Sequence, residues 1–529
     1  MSRLARLTAA AVACAALLAG ACSVRSSGQD PAATSPPAAA EPPGSSASGD
    51  PLIPPDGRPI LPVPSVTPYG YKEPPPGEGM SRYQSQRLNW TACLDGLECA
   101  QALAPLDYAD PNGQAITLSM VRRKATANPR LGTLFLNPGG PGASGRDLVA
   151  GFDPTGLERY DLLGWDPRGT DDSTPVQCFS RGEDFDRYMA SDASPDNDQE
   201  LGIQISQDRT FGQACLNGSG SLLEHVSTAE TVRDLDLLRG LLGDNQLNYL
   251  GFSYGTSIGS LYAHMYPKRV GRMVLDGAVN ITDSRVTQLD GFERAIGNFA
   301  SWCAERQCTL GKSRAQVLES IRDFLTRLDS QPIKVGEREL TQSLAMVGII
   351  FPLYGQENSW DALRQGLVAA IQNGNGGILL HLADAYLGRS EDGSYDQDIS
   401  ANPAIRCLDS QKVSVSKELK EDAKKIKNAP TFGKFWGSDL ICPLWPVAPA
   451  EKRPKITARG AEPILVIGTT GDPATPVEYA ASMAKQLDSG VLITFRGYGH
   501  LAYSQSACIQ RIVQDYLINN AVPRDGTTC

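Results

Sequence analysis

The sequence is poor in histidine. In 529 residues there are four, His225, His264, His381 and His500, so any imidazole chemistry must choose among them. Positive charge is also short: 49 Lys and Arg stand against 59 Asp and Glu, a net of −10. A chain this acidic has no general basic footprint, which argues against nucleic acid as a partner. Past the N-terminus no apolar run approaches the ~20 residues of a spanning helix. No Cys-x-x-Cys occurs and no His lies near a Cys pair at ligand spacing, so neither a metal site nor a cofactor is expected. Apolar content is not lacking. Hydrophobic residues are 41% and charged residues 20%, enough for a large core, which excludes disorder throughout.

Arg3 and Arg6 precede an apolar run from Leu7 to Ala19, a signal-peptide pattern too short to span a bilayer. It ends in Leu18-Ala19-Gly20-Ala21-Cys22, small residues before a cysteine, which resembles a bacterial lipobox. Residues 1–21 are therefore expected to be a signal peptide and Cys22 to carry lipid, with ordinary secretion as the alternative. Residues 22–82 are rich in Pro, Ala, Ser and Gly and cannot bury enough surface to fold. They are expected to tether the body to the outer face of the cytoplasmic membrane.

Ten cysteines follow the lipobox: Cys93, Cys99, Cys178, Cys215, Cys303, Cys308, Cys407, Cys442, Cys508 and Cys529. An even number in an exported chain points to disulfides. Neighbours lie close along the chain, which favours sequential pairing. Spacing alone leaves the connectivity open.

In the body, short strands alternate with helices. Ala115–Arg122, Leu134–Leu136, Tyr160–Trp165, Leu247–Leu250 and Arg272–Leu275 read as strands. Ser227–Leu242 and Thr256–Met265 read as helices. Ser227 with Glu230 has the spacing of a capping box. Such alternation implies an α/β fold with a mostly parallel sheet. From about residue 281 the pattern turns helical, and strands resume at Ile464–Ile467 and Val491–Phe495. Two hydrolase-core parts, 83–280 and 461–529, are thus expected around a helical cap insertion at 281–460.

Gly251-Phe252-Ser253-Tyr254-Gly255 matches Gly-x-Ser-x-Gly. The match alone is weak, and a second overlaps it at Gly255–Gly259. Context selects Ser253, which directly follows a strand and precedes a helix, the setting of a nucleophile elbow. Ser257 would lie one turn into the helix and reads as packing. A serine hydroxyl needs a base, and the base needs an acid to orient it. Three histidines follow Ser253: His264, inside the helix Thr256–Met265, and then His381 and His500. His381 is mid-helix, whereas His500 follows a strand through a glycine loop. Asp472 ends the preceding strand, in Gly471-Asp472-Pro473. The order Ser253, Asp472, His500 is the one this fold demands. Oxyanion donors are expected from the Tyr254 N–H and from the loop Asn137-Pro138-Gly139-Gly140-Pro141-Gly142, with Gly140 favoured over Gly139. Arg168, in Asp166-Pro167-Arg168-Gly169, reads as a structural brace.

These motifs, with Asp276-Gly277, Arg406-Cys407-Leu408-Asp409, Asp472–Pro476 and Gly499-His500, resemble the proline-iminopeptidase-like branch of the α/β-hydrolases. The similarity is to its secreted actinobacterial tripeptidyl aminopeptidases and mycobacterial cell-envelope serine proteases, from about residue 90 to 529. Asn137 departs from the branch, where many members carry His. The resemblance implies the α/β-hydrolase fold, a helical cap over the triad, and release of di- or tripeptides from free N-termini of peptide or protein substrates. An aminopeptidase must bind an α-ammonium, for which Glu357 and Asp409 in the cap are the candidates. Two rivals stand beside this reading. One is an esterase or lipase on the same triad. The other, from a different class, is a noncatalytic binding lipoprotein, against which the intact triad argues. The sequence carries no signal of oligomeric state.

Overall fold

The computed structural model describes residues 70–529 apart from 95, 283–285, 412 and 451–453. The expected signal segment, Cys22 and most of the tether lie outside the described residues.

Ten strands form one sheet in the order β1-β2-β3-β5-β4-β6-β7-β10-β11-β12. The strands are β1 (Thr91–Ala92), β2 (Glu98–Pro105), β3 (Ala115–Arg123), β4 (Gly132–Asn137), β5 (Tyr160–Trp165), β6 (Leu247–Phe252) and β7 (Val270–Asp276). A small separate hairpin, β8 (Ile333–Val335) and β9 (Arg338–Leu340), precedes β10 (Ile464–Gly471), β11 (Gly490–Tyr498) and β12 (Thr527–Thr528). β1, β2 and β3 pair antiparallel, and β3 pairs antiparallel with β5. From β5 to β12 every pairing is parallel. This is the mostly parallel α/β-hydrolase sheet.

The central strands are largely apolar and buried because helices cover both faces. Alternation then decides the face. Met273, Leu275, Ile464 and Val466 join one buried cluster, while Val274, Leu465 and Ile467 join the other. Crossover connections in such a sheet bring the carboxyl ends of the parallel strands to one edge, where ligands bind.

Between β7 and β10 the chain is mainly helical, and the β8–β9 hairpin is its one described excursion into strand. Phe292, Phe299, Trp302, Phe324, Trp360, Leu363 and Phe432 build a third buried cluster there. The last part of the segment is tied differently: Ala401, Ile405, Cys407, Leu408, Cys442 and Trp445 pack into the cluster on the sheet. Five disulfides join Cys93–Cys99, Cys178–Cys215, Cys303–Cys308, Cys407–Cys442 and Cys508–Cys529, the sequential arrangement. The Cys407–Cys442 bond lies where the returning segment meets the core. Among the described residues no helix is long and apolar enough to cross a membrane.

The capping box expected at Ser227 is only half formed. Ser227 Oγ accepts the Glu230 N–H at 3.3 Å. The Glu230 carboxylate turns away to Arg233 at 2.7 Å and Arg168 at 3.4 Å, because two cations outcompete one backbone N–H. Arg168 is fully buried. Its Nε and Nη2 donate to the two Asp234 oxygens at 2.7 Å each, and its remaining N–H groups reach the carbonyls of Leu106, His225 and Pro105. Arg168→Ala would strand the buried Asp234 charge. It is expected to cost ~3–5 kcal/mol, read as a lower urea midpoint at unchanged slope.

Candidate active site

The elbow begins where β6 ends. Ser253 has φ +53, a left-handed conformation that a non-glycine residue adopts only under external constraint. Its N–H donates to the Asp276 carbonyl at the end of β7, 2.9 Å away. The helix Gly255–Met265 starts two residues later. A Cβ at Gly255 would stand 2.7 Å from Asn137 Oδ1, so β4 and the new helix can meet only at a glycine. Ser257 is buried inside that helix.

Asp472 and His500 follow β10 and β11, which are neighbours in the sheet. His500 Nδ1 lies 3.0 and 2.8 Å from the two Asp472 carboxylate oxygens. Those oxygens also accept the N–H groups of Ala474 and Thr475 at 2.9 and 2.8 Å and the Thr475 hydroxyl at 2.8 Å. Thr475 Oγ1 is in addition 3.2 Å from His500 Nδ1, so it supports both partners. Burial opposes a charge on His500, but Asp472 beside the ring, with help from Asp276, outweighs it and holds the pKa above its ordinary value. His381, by contrast, is exposed on the helix Gly377–Leu387.

The sheet order brings these ends together. β6, β7, β10 and β11 are consecutive parallel neighbours, so Ser253, Gly277, Asp472 and His500 share one edge. A Cβ at Gly277 would sit 3.2 Å from both His500 Cε1 and Thr475 Oγ1.

The loop after β4 lies against the elbow. Gly139 has φ +103, and a Cβ there would meet Phe252 O at 2.6 Å and Tyr254 N at 2.9 Å. Its own N–H donates to Asn137 Oδ1 at 3.1 Å. Of the two glycines, Gly140 is therefore the one whose N–H is not committed to Asn137. Asn137 is fully buried, and its Nδ2 has no hydrogen-bond partner. The helix Asp398–Asp409 leans on this region at both ends. Asn402 Nδ2 donates to Pro141 O at 3.1 Å, and Asp409 Oδ1 accepts the Thr228 N–H at 2.9 Å. The Thr228 hydroxyl contacts Asp409 and also the Tyr254 hydroxyl. Glu357 lies elsewhere: it is exposed in the first turn of Glu357–Asn373 and faces Arg306 at 3.4 Å.

Sequence reasoning missed one contact to His500. Its N–H donates to the Tyr354 carbonyl of the cap at 2.7 Å, and the Tyr354 ring meets the imidazole edge-on with centroids 5.5 Å apart. Phe351–Tyr354 is a single 3-10 turn with no motif of its own, so nothing local announces it.

Residues 429–529 match the family model described as TAP-like protein. The chain is 36% identical over 477 residues to serine protease Hip1 of Mycobacterium tuberculosis, covering 84% of this chain and 91% of that protein. The chain belongs to this TAP-like family of serine peptidases. A tripeptidyl aminopeptidase of Streptomyces coelicolor is 27% identical over 471 residues, covering 84% of this chain and 86% of its own length. A Mycobacterium tuberculosis protein named carboxylesterase B is 35% identical over 474 residues, with 83% and 89% covered. The TAP-like match covers β10, β11 and the loops after them that carry Asp472 and His500.

Proposed function

We propose that this TAP-like peptidase is exported, is anchored through Cys22, and releases di- or tripeptides from free N-termini. Ser253, Asp472 and His500 carry the chemistry. The observation that bears most weight is the contact of His500 Nδ1 with a buried Asp472 on the sheet edge that also presents the Ser253 elbow.

With Nδ1–H turned to Asp472, His500 Nε2 is the basic nitrogen. It takes the Ser253 proton as Oγ attacks the scissile carbonyl, whose oxygen becomes an oxyanion held by the Tyr254 and Gly140 N–H groups. The imidazolium then protonates the leaving amine, and the C–N bond breaks to leave an acyl-enzyme. Water, deprotonated by the same nitrogen, attacks that ester and returns Ser253. The helical segment 281–460 acts as the cap in this reading. Five disulfides suit an oxidising compartment, and a Pro-rich tether after a lipobox suits a membrane anchor.

Asp409 is the preferred partner for the substrate ammonium, because Thr228 links it to Tyr254 at the elbow. Glu357 faces Arg306 at the surface and is the weaker choice. The test is a panel of tripeptidyl, dipeptidyl and aminoacyl fluorogenic amides, N-blocked peptides and acyl esters, with wild type and Ser253→Ala. Ser253-dependent turnover of free-amine peptides alone supports the reading. Turnover of esters alone would move the assignment to an esterase, an activity that the name of the carboxylesterase B relative keeps in view. In the same panel Asp409→Asn is expected to raise KM for free-amine tripeptides ~10-fold and leave ester hydrolysis within about twofold.

A further inference from the structure

Four consecutive backbone N–H groups hold the loop that carries His500. The His500 N–H goes to the Tyr354 carbonyl at 2.7 Å and the Leu501 N–H to Asp472 Oδ2 at 3.3 Å. The Ala502 N–H goes to both Asp276 oxygens at 3.1 and 3.0 Å, and the Tyr503 N–H to Asp276 Oδ2 at 2.8 Å. Leu501 has φ +75, so the chain reverses there in a conformation that needs outside anchors. Asp276 is fully buried, and its own carbonyl accepts the Ser253 N–H. It ends β7, in register with Phe252 of β6 and Ile467 of β10. One residue thus grips the Ser253 backbone with its main chain and the His500 loop with its side chain.

Resting on the triad assigned above, we propose that Asp276 is a positioning residue that sets the spacing of Ser253 and His500. Its buried negative charge also favours the imidazolium formed in each half-reaction. A carboxylate spent only on packing at this depth would be replaceable by an apolar side chain of similar volume. This one instead faces a titrating ring. His500 and Asp472 are the charged groups acting on it, from the loops after β11 and β10. Burial pushes the Asp276 pKa up to about 6, against the Tyr503 and Ala502 N–H groups and His500, which pull it down. Asp276 is therefore ionised at neutral pH and takes up its proton as the solution turns mildly acidic.

Two substitutions separate spacing from charge. Asp276→Asn keeps an oxygen for the loop N–H groups and removes the charge, whereas Asp276→Ala removes both. Expected losses in kcat are ~10-fold and ~100-fold, with KM within about twofold in each. Without the charge His500 ionises at lower pH, so the acid limb of kcat/KM in Asp276→Asn moves to lower pH. Wild-type kcat with an unmoved acid limb in Asp276→Asn overturns the proposal, as does a loss confined to KM. A variant-free check covers the case that neither protein folds. In wild type, the acid limb of log kcat/KM is steeper than one around pH 6, where Asp276 takes up its proton as well as His500, and returns toward one at lower pH; a slope of one throughout also overturns the proposal. Fluorophosphonate labelling of wild type but not Ser253→Ala checks the triad separately. Absence of labelling in wild type sinks the triad itself, a different failure.

Discussion

Ser253→Ala is expected to lower kcat by at least ~10⁴-fold and to abolish fluorophosphonate labelling, while the protein keeps its fold. In the reading proposed above the Ser253 hydroxyl is the nucleophile, and removing it leaves only the oxyanion donors and binding. Ser253 is held at φ +53 by the sheet rather than by its side chain, through its N–H on the Asp276 carbonyl. Alanine feels the same left-handed strain as serine, so no stability should be lost. Glycine feels none, and Ser253→Gly should be both inactive and stabilised by ~1 kcal/mol. Steady-state kinetics with thermal melts on the two variants check both halves. Residual Ser253→Ala activity above a hundredth of wild type would remove the nucleophile from this position.

Asp472→Asn carries the second large effect, a fall in kcat of ~10³–10⁴-fold. The amide occupies the same space and can still accept the Ala474 and Thr475 N–H groups. It can present its NH₂ to His500 Nδ1, which selects the tautomer with the proton on Nε2, where the base must be empty. The imidazolium also loses its main counter-charge. Burial, which disfavours the charged ring, is then opposed by Asp276 alone, so the acid limb of the residual kcat/KM should move to lower pH. A pH profile measured with Asp472→Asn in excess decides this. A loss under tenfold would shift the acid role elsewhere, with Asp276 the next carboxylate to test because it already acts on His500.

Much of the fold was legible because each piece is local. Tyr160–Trp165 is a strand in both readings, and Ile464–Ile467 is fully buried as an unbroken apolar run implies. The elbow could be read because strand, turn and helix are contiguous. Cysteine partners could be guessed because each stands near its mate along the chain, between 5 and 37 residues apart. Glu230 shows the opposite case. Its spacing from Ser227 is right for a box, but Arg168, 62 residues earlier, competes for the carboxylate. No window around Ser227 contains that competitor. Tyr354 is similar, since its carbonyl reaches His500 across the seam between cap and sheet.

By itself the sequence pointed to a serine peptidase and set the order of the candidate residues along the chain: a strand-borne Ser253, an acid at a later strand end, and His500 last. Those features follow from periodicity, turn composition and the scarcity of histidine, all of which act within a few residues. Only the tertiary structure decided which groups share a volume. It committed the Gly139 N–H to Asn137, turned Glu357 to the surface beside Arg306, and brought Asp409 to Thr228 across 181 positions. It also placed Asp276 between Ser253 and the His500 loop, 226 residues from Ala502. The physical reason is that a hydrogen bond depends on distance in space, and in a parallel sheet neighbouring strand ends are joined by long crossovers that sequence spacing does not measure.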